Sequence, residues 1–323
     1  MPCFPRLVQL RIGRIFGCQV NNISFDTSGV FAIVITYNPK IDYLRRLAAE
    51  LLTQVEQLIV VDNGSDNADD CAVLCGEQRY IQLIALPENM GIAQAQNIGC
   101  DAAKKSGAEF LVYFDQDSVI SKQFVQPLKN AFLSLSKSHK VALVAPIFKD
   151  EKHGFFYPLV FLNKYGLRRK VVPTGNEAQA IPISMAISSG TFTSVAVMDA
   201  VGGMRSDFFI DYVDIEWCLR AGRAGYSLFA IPGVCMLHSI GDRSIPFLKW
   251  RLVIHSEWRR YYRIRNGFFM LRLTHVPKIL ALREVLINVV HQAILLLTQK
   301  NKALQLKYFL RGVRDGCRPT DRA

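Results

Sequence analysis

The chain has 323 residues, of which 50% are hydrophobic and 20% are charged. This size fits one large domain or two fused ones, and the balanced composition excludes a wholly disordered protein. Lysine and arginine outnumber aspartate and glutamate by 39 to 27, which gives a net charge of +12. Such a surplus favours an anionic partner, which would be a nucleic acid, a phosphorylated small molecule or an acidic membrane surface.

The cysteines and the apolar stretches exclude some classes of protein. The eight cysteines form no C-x-x-C pair, so zinc-ribbon spacing is absent and we expect free thiols in a reducing compartment. The most apolar stretch, residues 285–298, is interrupted by Asn288, His291 and Gln292. It is shorter than the roughly 20 residues that a transmembrane helix needs, so we predict no membrane span.

From residue 31 onward the sequence alternates between strand and helix patterns. Strand-like runs cover residues 31–37, 57–62, 82–86 and 109–114, and helical spacing covers residues 41–52 and 91–105. Because these strands are apolar along their length, the pattern predicts an α/β fold with a mainly parallel central sheet and helices on both faces. The later elements are less regular: loops or an irregular hairpin over 149–180, a strand over 181–188, a helix over 211–224, strands over 227–231 and 234–237, and helices after 247.

Polar residues follow each of the first four strands. In parallel sheets the ligand binds beyond the carboxyl ends of the strands, so we expect one rim of the sheet to carry the chemistry. The four strand ends are Thr36-Tyr37-Asn38, Asp62-Asn63-Gly64-Ser65, Pro87-Glu88-Asn89 and Asp115-Gln116-Asp117-Ser118.

Asp115 and Asp117 stand one residue apart directly after an apolar strand. Alternate residues of an extended segment project the same way, so the two carboxylates can converge on one point. Their oxygens suit a hard divalent cation, Mg²⁺ or Mn²⁺, which in turn would bind a diphosphate. A solvated turn or a helix cap is the alternative interpretation of such a short motif.

Three acidic residues, Asp211, Asp214 and Glu216, lie at the start of the helix predicted over 211–224. The helix dipole alone favours acids in a first turn. A carboxylate beside an apolar wall, here with Trp217 adjacent, is also a candidate general base. The residues themselves do not choose between Asp214 and Glu216.

Two further groups of polar residues are candidates for a site. His238 ends an apolar run and is either a structural, hydrogen-bonded histidine or a metal ligand. Asn89, Gly91 and Asn97 lie near a helix start, where backbone N–H groups can meet an anion. The sequence lacks G-x-G-x-x-G and Walker A patterns, so dinucleotide-binding and P-loop interpretations lack their key residues.

Taken together, the motifs resemble those of the glycosyltransferase family 2 enzymes of the GT-A fold, and most closely those of the rhamnosyltransferase-like branch. The resemblance covers about residues 30–245, and the later segment from Arg260 to Asn266 is also similar to that branch. The matching segments are Ile35-Thr36-Tyr37-Asn38, Val60-Val61-Asp62-Asn63-Gly64-Ser65, Glu88-Asn89-Met90-Gly91 with Asn97, Phe114-Asp115-Gln116-Asp117-Ser118, Ser189-Gly190-Thr191, Asp211-Tyr212-Val213-Asp214-Ile215-Glu216-Trp217 and His238-Ser239-Ile240-Gly241.

The resemblance implies a role for each matching position. The metal would be held by Asp115, Asp117 and His238, and the catalytic base would be Asp214. Glu216 stays an alternative, because Val213 stands where many members carry a glutamate directly before the base. Residues implied near the donor or acceptor sugar are Gly190, Thr191, Asp211 and Trp217. Residues implied to bind the nucleotide-sugar are Thr36, Tyr37, Asn38, Asp62, Asn89, Gly91, Asn97, Asp115 and Gln116.

The implied activity is an inverting, metal-dependent sugar transfer with Mg²⁺ or Mn²⁺ as cofactor. The branch implies that a nucleotide-diphospho-sugar donor, dTDP-rhamnose, gives L-rhamnose to a lipid-linked or saccharide acceptor of a cell-surface polysaccharide or lipopolysaccharide. An aspartate of ordinary pKa, about 3.9, would be a weak base for the acceptor hydroxyl. A UDP-hexose donor is the main alternative, and a non-catalytic nucleotide-sugar-binding protein is a further one.

We divide the chain into a leader of unknown role (1–29), a GT-A catalytic domain (30–245) and a basic helical region (246–323). In the last region arginines and lysines alternate with aromatic residues, which is typical of a solvated helical surface or of membrane-surface attachment. Nucleic-acid binding is disfavoured because no recognised module is present. We therefore expect a cytoplasmic enzyme that is peripheral at the inner face of the cell membrane.

Overall fold

The computed structural model describes residues 26–151, 153–238, 243–247, 250–254, 256–299 and 301–318. For residues 238, 243–247 and 250–254 it describes the backbone only. Most of the predicted leader, residues 1–25, therefore lies outside the described residues.

A mostly parallel sheet lies between helices. The strands in the described part of the chain are β1 (Val30–Thr36), β2 (Gln57–Asp62), β3 (Ile81–Ala85), β4 (Phe110–Asp115), β5 (Val141–Asp150), β6 (Leu159–Leu162), β7 (Arg168–Val171), β8 (Ile181–Ile183), β9 (Phe192–Ser194), β10 (Ser227–His238), β11 (Arg243–Phe247) and β12 (Trp250–Ile254). The α-helices are α1 (Ile41–Leu51), α2 (Ala68–Gly76), α3 (Ile92–Lys105), α4 (Val125–Leu135), α5 (Val195–Val201), α6 (Val213–Arg223), α7 (Glu257–Arg272), α8 (Lys278–Thr298) and α9 (Lys302–Cys317).

Eight strands form the central sheet in the order β3-β2-β1-β4-β9-β5-β10-β8. β1 pairs in parallel with β2 and with β4, β2 pairs in parallel with β3, and β5 pairs in parallel with β10. β9 and β8 run antiparallel to their neighbours. The predicted α/β fold with a mainly parallel sheet is confirmed.

The core follows from the sequence pattern. Every residue of β1 is buried, as expected for a strand that helices cover on both faces. On α1, Leu44, Leu47 and Leu51 recur at helical spacing and are buried. α3 approaches β1 closely at Gly99, where an added Cβ would lie 2.6 Å from the side chain of Ile33. Gly99 thus allows α3 to pack directly on β1, whose carboxyl end leads into the polar residues.

Some elements differ from the sequence-based expectation. The predicted strand over 181–188 is shorter, because only Ile181–Ile183 pairs with β10. The two predicted strands over 227–231 and 234–237 are one strand, β10, which passes Pro232 and Gly233 through a register shift against β5. A bulge of this kind absorbs residues that would end a regular strand. The strands β11 and β12 pair in antiparallel fashion, whereas the chain after residue 247 was predicted to be helical.

The apolar stretch near the C-terminus is longer than predicted. α8 has 21 residues and, among the described residues, is the helix long and apolar enough to cross a membrane by length and composition alone. The prediction that this stretch is too short was therefore wrong, since the helix begins seven residues earlier than residue 285. Its polar residues Glu284, Asn288 and Gln292 are buried against the protein.

Candidate functional site

A cleft of about 810 Å³ opens at the carboxyl ends of β1 and β4, with the loop before α6 and helix α7 on its other side. This volume is in the range of small-molecule sites. Nine of the sequence-predicted site residues line it: Thr36, Tyr37, Asn89, Gly91, Asp115, Gln116, Asp117, Asp211 and Asp214. The expectation that polar residues meet at one rim of the sheet is therefore confirmed.

Asp62 is buried behind the cleft and supports Thr36, one of its lining residues. Its side chain is fully buried and accepts hydrogen bonds from Thr36 Oγ1 at 2.8 Å, from Ser65 Oγ at 2.5 Å and from the Ser65 backbone N–H at 3.0 Å. It does not line the cleft. Asp62, predicted to hold the nucleotide, therefore joins the end of β1 to the turn after β2.

Gln116 fixes the end of β1 against the end of β4. Its Oε1 accepts from the backbone N–H of Tyr37 at 2.7 Å, and its Nε2 donates to the Tyr37 carbonyl at 3.2 Å. The Tyr37 ring is 45% exposed and lines the cleft. The oxygen and the NH₂ group of the Gln116 side chain are thus both engaged by the backbone of Tyr37, while the tyrosine ring is accessible to a ligand.

The loop that contains Asn89 and Gly91 forms another wall. Asn89 Oδ1 accepts from Asn63 Nδ2 and from the Gly91 backbone N–H, both at 3.0 Å. Gly91 has a φ of +85°, and an added Cβ would lie 2.6 to 2.7 Å from the ring and carbonyl oxygen of Phe209. Only glycine fits this backbone without strain.

Asp115 and Asp117 both line the cleft, the first partly buried and the second exposed. Two carboxylates suit Mg²⁺ or Mn²⁺, since such ions are commonly held by one or two carboxylates and complete their shell with water and substrate phosphates. Among the described residues there is no group of three or more metal-binding side chains. The side chain of His238, the third predicted ligand, lies outside the described part of the structure. The carboxylate oxygens of the two aspartates are suitable ligands for such a metal ion, and the metal site stays a prediction.

Asp214 is the second residue of α6 and faces the same cleft. Its Oδ1 accepts a hydrogen bond from the Ile215 backbone N–H at 2.8 Å. Burial, together with the negative charges of Asp211 and Asp115, raises the pKa of Asp214 to about 6. The sequence-based expectation of an ordinary, low pKa was therefore wrong, and this carboxylate is a stronger base than an exposed aspartate.

Glu216 lies on the far side of α6 from the cleft. It is fully buried, and its two oxygens accept from Arg220 Nε at 2.9 Å and Arg220 Nη2 at 3.0 Å. His275 Nε2 lies 2.8 Å from Oε1. Although burial acts to raise it, the pKa of Glu216 is held below its ordinary value by the contacts with His275 and Arg220. Glu216, the alternative catalytic residue, thus occupies a buried ion pair outside the cleft.

Two other predicted residues have structural contacts behind the cleft. Asn97 Nδ2 donates to the Met204 carbonyl at 2.8 Å, and its Oδ1 accepts from the Met204 N–H at 2.7 Å. Trp217 is 2% exposed, and its Nε1 donates to the Gly202 carbonyl at 2.8 Å. Neither lines the cleft, so their predicted contact with ligand is not supported by this arrangement.

Gly190 and Thr191 shape a turn beside the cleft. Thr191 Oγ1 donates to the Ser188 carbonyl at 2.6 Å, and the Gly190 N–H donates to the Tyr113 carbonyl at 2.6 Å. The residues of this turn that line the cleft are Ser188 and Ser189. Gly190 and Thr191 themselves therefore lie next to the cleft, and their predicted contact with a sugar stays a prediction.

Asn38 pairs with the turn after β2. Its Oδ1 accepts from the Asp66 N–H at 2.7 Å, and its own N–H donates to Ser65 Oγ at 2.8 Å. It does not line the cleft, so it holds the two strand ends together.

Arg259 and Arg263, which belong to the basic region predicted after residue 245, line the cleft together with Arg168. Arg259 Nε lies 3.1 Å from one oxygen of Asp211, and Arg263 Nη1 lies 3.4 Å from the other. From the β6–β7 hairpin, Arg168 contacts Glu284 at 3.0 Å. The similarity of the segment around Arg263 to the rhamnosyltransferase branch was the available signal, since periodicity alone does not indicate such distant contacts.

Comparisons with known proteins agree with this geometry. The sequence profile of the family "Glycosyl transferase family 2" matches residues 31–196. The dTDP-rhamnosyl transferase RfbF of Shigella flexneri is 38% identical over 293 residues, which cover 90% of this chain and 96% of that protein.

Two solved structures share the fold at low sequence identity. S. aureus TarS 1-349 in complex with UDP-GlcNAc aligns with a TM-score of 0.53 and 15% identity, over 88% of this chain and 81% of that chain. GalNAc-T7 with UDP, GalNAc and Mn²⁺ aligns with a TM-score of 0.53 and 12% identity over 84% of this chain, which spans 58% of that longer chain. At these identities the likeness concerns the fold.

Proposed function

The chain belongs to glycosyl transferase family 2, and from this premise we propose that it transfers L-rhamnose from dTDP-rhamnose to a cell-surface polysaccharide or lipopolysaccharide glycan. The donor is proposed from the 38% identity to the Shigella flexneri enzyme over nearly the whole of both chains. The chemistry is proposed from one observation: Asp214, a partly buried carboxylate of raised pKa, shares a cleft with Asp115 and Asp117.

In the proposed reaction the acceptor hydroxyl attacks the anomeric carbon from the face opposite the diphosphate. Asp214 takes the hydroxyl proton as the new C–O bond forms, and the bond to the diphosphate breaks so that its electron pair leaves with dTDP. One displacement inverts the anomeric centre. With a pKa of about 6, Asp214 is largely ionised at neutral pH and is still a useful base.

The remaining cleft residues are proposed to hold the donor. Tyr37, Asn89, Gly91 and Thr36 line the part of the cleft that is proposed to take the nucleoside, and Asp62 supports Thr36 through a hydrogen bond. Asp115 and Asp117 would hold Mg²⁺ or Mn²⁺, which when bound would offset the negative charge of the diphosphate.

A thermal-shift screen tests the donor. The protein is heated with dTDP-rhamnose, UDP-glucose, UDP-galactose or GDP-mannose, each with and without Mn²⁺. A ligand at 100 times its Kd stabilises the folded state by about 2.7 kcal/mol. We expect a metal-dependent rise in Tm with dTDP-rhamnose that Asp117→Asn abolishes, while the control Asp207→Asn, an exposed carboxylate paired with Arg205, retains it.

The other results of this screen have distinct meanings. A larger shift with a UDP-sugar would overturn the rhamnose donor and leave the family unaffected. A non-catalytic binding protein would be favoured if dTDP-rhamnose raises the Tm but a separate turnover assay, with an alkyl-diphosphate-linked monosaccharide as acceptor, shows no release of dTDP.

We also propose that the enzyme works on the inner face of the cell membrane, attached through helix α8. The helix has an unusual distribution of side chains, because its polar residues Glu284, Asn288 and Gln292 face the protein. Apolar residues of the same helix are exposed by 39 to 78%: Ile279, Leu282, Leu286, Ile287, Val289, Val290 and Leu297. A surface helix in water normally has the opposite arrangement.

Charge supports a lipid surface as the partner of this face. The exposed charged residues of α8 are Lys278 and Arg283, and α9 adds Lys302 and Lys307 beside it. Basic residues around an apolar helix face favour anionic lipid headgroups. Because the buried polar residues hold α8 against the protein, the helix is proposed to lie on the membrane surface.

Sedimentation with liposomes tests this attachment. We expect binding to vesicles that contain anionic lipid, weaker binding in high salt, and at least tenfold weaker binding of Leu286→Glu. Val73→Glu is the matched control, since Val73 is 64% exposed and Leu286 is 63% exposed, and Val73 lies on α2. Equal recovery in the supernatant with and without lipid would contradict the proposal, and dimers that Leu286→Glu dissociates would show that a second copy covers this face.

A further inference from the structure

The loop between Phe208 and Val213, directly before the proposed base, has an unusual backbone. Phe209, Asp211 and Tyr212 have φ values of +63°, +64° and +65°. Residues other than glycine seldom adopt this left-handed region, and such strain persists only where surrounding contacts hold it. Tyr212 is also the N-terminal cap of α6, so the path of this loop sets the direction in which Asp214 points.

Asn266 on α7 contacts the backbone of this loop. Its side chain is fully buried, and Nδ2 lies within hydrogen-bond distance of three carbonyl oxygens. These are the carbonyls of Phe208 and Ile210 at 2.8 Å each and of Asp211 at 3.0 Å. One NH₂ group that contacts three carbonyls can stabilise a loop that contains several strained residues.

Arg265 fixes the orientation of this amide. Its Nε and Nη2 donate to Asn266 Oδ1 at 3.0 and 2.9 Å. A guanidinium has no acceptor, so the oxygen of Asn266 faces Arg265 and the NH₂ group faces the loop. The guanidinium itself lies 4.8 and 4.9 Å from the ring centres of Tyr262 and Phe269. The hydrogen-bond donor is therefore held in place by its neighbours.

Other contacts hold the side chains of the same loop. Asp211 pairs with Arg259 and Arg263, and the Tyr212 hydroxyl donates to Glu284 Oε2 at 3.2 Å. Asn266 differs because its one NH₂ group contacts the backbone of the loop at three points, on both sides of Phe209 and at Asp211.

We propose that Asn266 is a positioning residue for Asp214, acting through the backbone of residues 208–212. The inference rests on the proposed role of Asp214 as the base. It assigns to helix α7 a positioning role in the transfer step that is separate from donor binding.

Asn266→Asp is the sharpest test, because it keeps the shape of the side chain and replaces the NH₂ donor with an oxygen. Asn266→Ala removes the amide altogether. Turnover is followed as release of dTDP from dTDP-rhamnose, and donor Kd by calorimetry, whose binding stoichiometry counts the folded protein. A misplacement of about 1 Å in a catalytic group can cost 10²-fold. We expect kcat per folded molecule to fall roughly 10- to 100-fold, with donor Kd within twofold of wild type.

The control is Gln54→Glu. Gln54 is also a buried amide that holds a loop, with Oε1 accepting from the N–H groups of Phe124 and Val125, but it lies outside the cleft. We expect this variant to lose stability and keep its kcat per folded molecule.

A double-mutant comparison distinguishes positioning of the base from general damage. If Asn266 acts through Asp214, then Asn266→Asp slows wild type strongly and slows Asp214→Asn little further. The inference is overturned if Asn266→Asp keeps kcat within twofold, or if kcat and donor affinity fall together. A wild-type protein that uses another donor would overturn the proposed donor alone, and the same variants are then compared with that donor.

Discussion

Replacing Asp214 by asparagine has opposite expected effects on activity and on stability. The substitution keeps the size of the side chain and removes its ability to accept a proton. Loss of a general base typically costs 10²- to 10⁴-fold in rate. We therefore expect kcat for dTDP release to fall by roughly that factor, with little change in donor Kd.

The expected gain in stability follows from the pKa. Burial raises the pKa of Asp214 from 3.8 to about 6, so the ionised carboxylate is less favourable in the folded protein than in the unfolded chain. Between these two pH values the folded state binds more protons, so stability falls as pH rises through this window. At pH 7.5 the cost is at most roughly 3 kcal/mol, at 1.36 kcal/mol for each tenfold change in acidity. Asp214→Asn removes this cost of holding an ionised carboxylate in the folded protein, so the Tm should rise by several degrees.

The pH dependence of wild-type kcat/KM is the matching assay. A base of pKa about 6 is roughly 10% ionised at pH 5, whereas an ordinary aspartate would be more than about 90% ionised there. We expect kcat/KM at pH 5 to be about tenfold below its value at pH 8, with activity recovering as pH rises through 6. Donor Kd measured over the same range separates protonation of the base from loss of donor binding.

Two results would refute this reasoning. A rate that stays constant down to pH 5 would mean that Asp214 is not the titrating base. An Asp214→Asn variant that is less stable than wild type would mean that its carboxylate is stabilised in the fold. Asp207→Asn, which removes an exposed carboxylate upstream on the same segment, should change neither rate nor Tm appreciably.

Two further substitutions test the geometry of the cleft. Glu216→Gln weakens a fully buried ion pair and should lower the free energy of unfolding in urea by roughly 3 kcal/mol. We expect kcat per folded molecule to stay unchanged. A variant that is as stable as wild type but inactive would indicate that Glu216 has a catalytic role. Gly91→Ala should cost roughly 1 to 3 kcal/mol and weaken donor binding, because the new Cβ meets Phe209. Gly107→Ala is its control, since Gly107 has a similar φ of +88° and open space around it; equal effects of the two would attribute the loss to backbone strain alone.

The sequence predicted the sheet and its polar rim because both depend on local patterns. Alternation of apolar strands with helical spacing is visible along the chain, and polar residues follow β1, β2 and β4 directly. Helical geometry also indicates that the two candidate bases cannot both face the cleft, although it does not say which of them does. Residues two apart on a helix do not share a face, so Asp214 and Glu216 of α6 point to different sides, as the structure has them.

Other properties of the site depend on contacts that no local pattern contains. A motif match does not tell a residue that lines a cleft from one that supports it, and Asp62 is of the second kind. The raised pKa of Asp214 comes from burial by several elements of the fold. Arg263 and Asn266 reach the loop before α6 from more than 50 residues downstream.

These distant contacts also bear on where the catalytic unit ends. Asp211, Tyr212 and the backbone between them are bound by α7 and α8, which belong to the basic region predicted after residue 245. Arg260, 1% exposed, donates to the Asn288 carbonyl at 3.0 Å and so joins those two helices. The loop before the proposed base is therefore held by contacts from this C-terminal region.

The same helix connects the proposed membrane face to the proposed base. On its buried side α8 presents Asn288, whose Nδ2 donates to the Tyr212 hydroxyl at 3.0 Å, two residues before Asp214. On its exposed side it presents Leu286 and Val290, which are proposed to meet lipid. Because one helix makes both contacts, attachment to the membrane through α8 would place the loop before the proposed base on the side of the protein that is nearest the lipid.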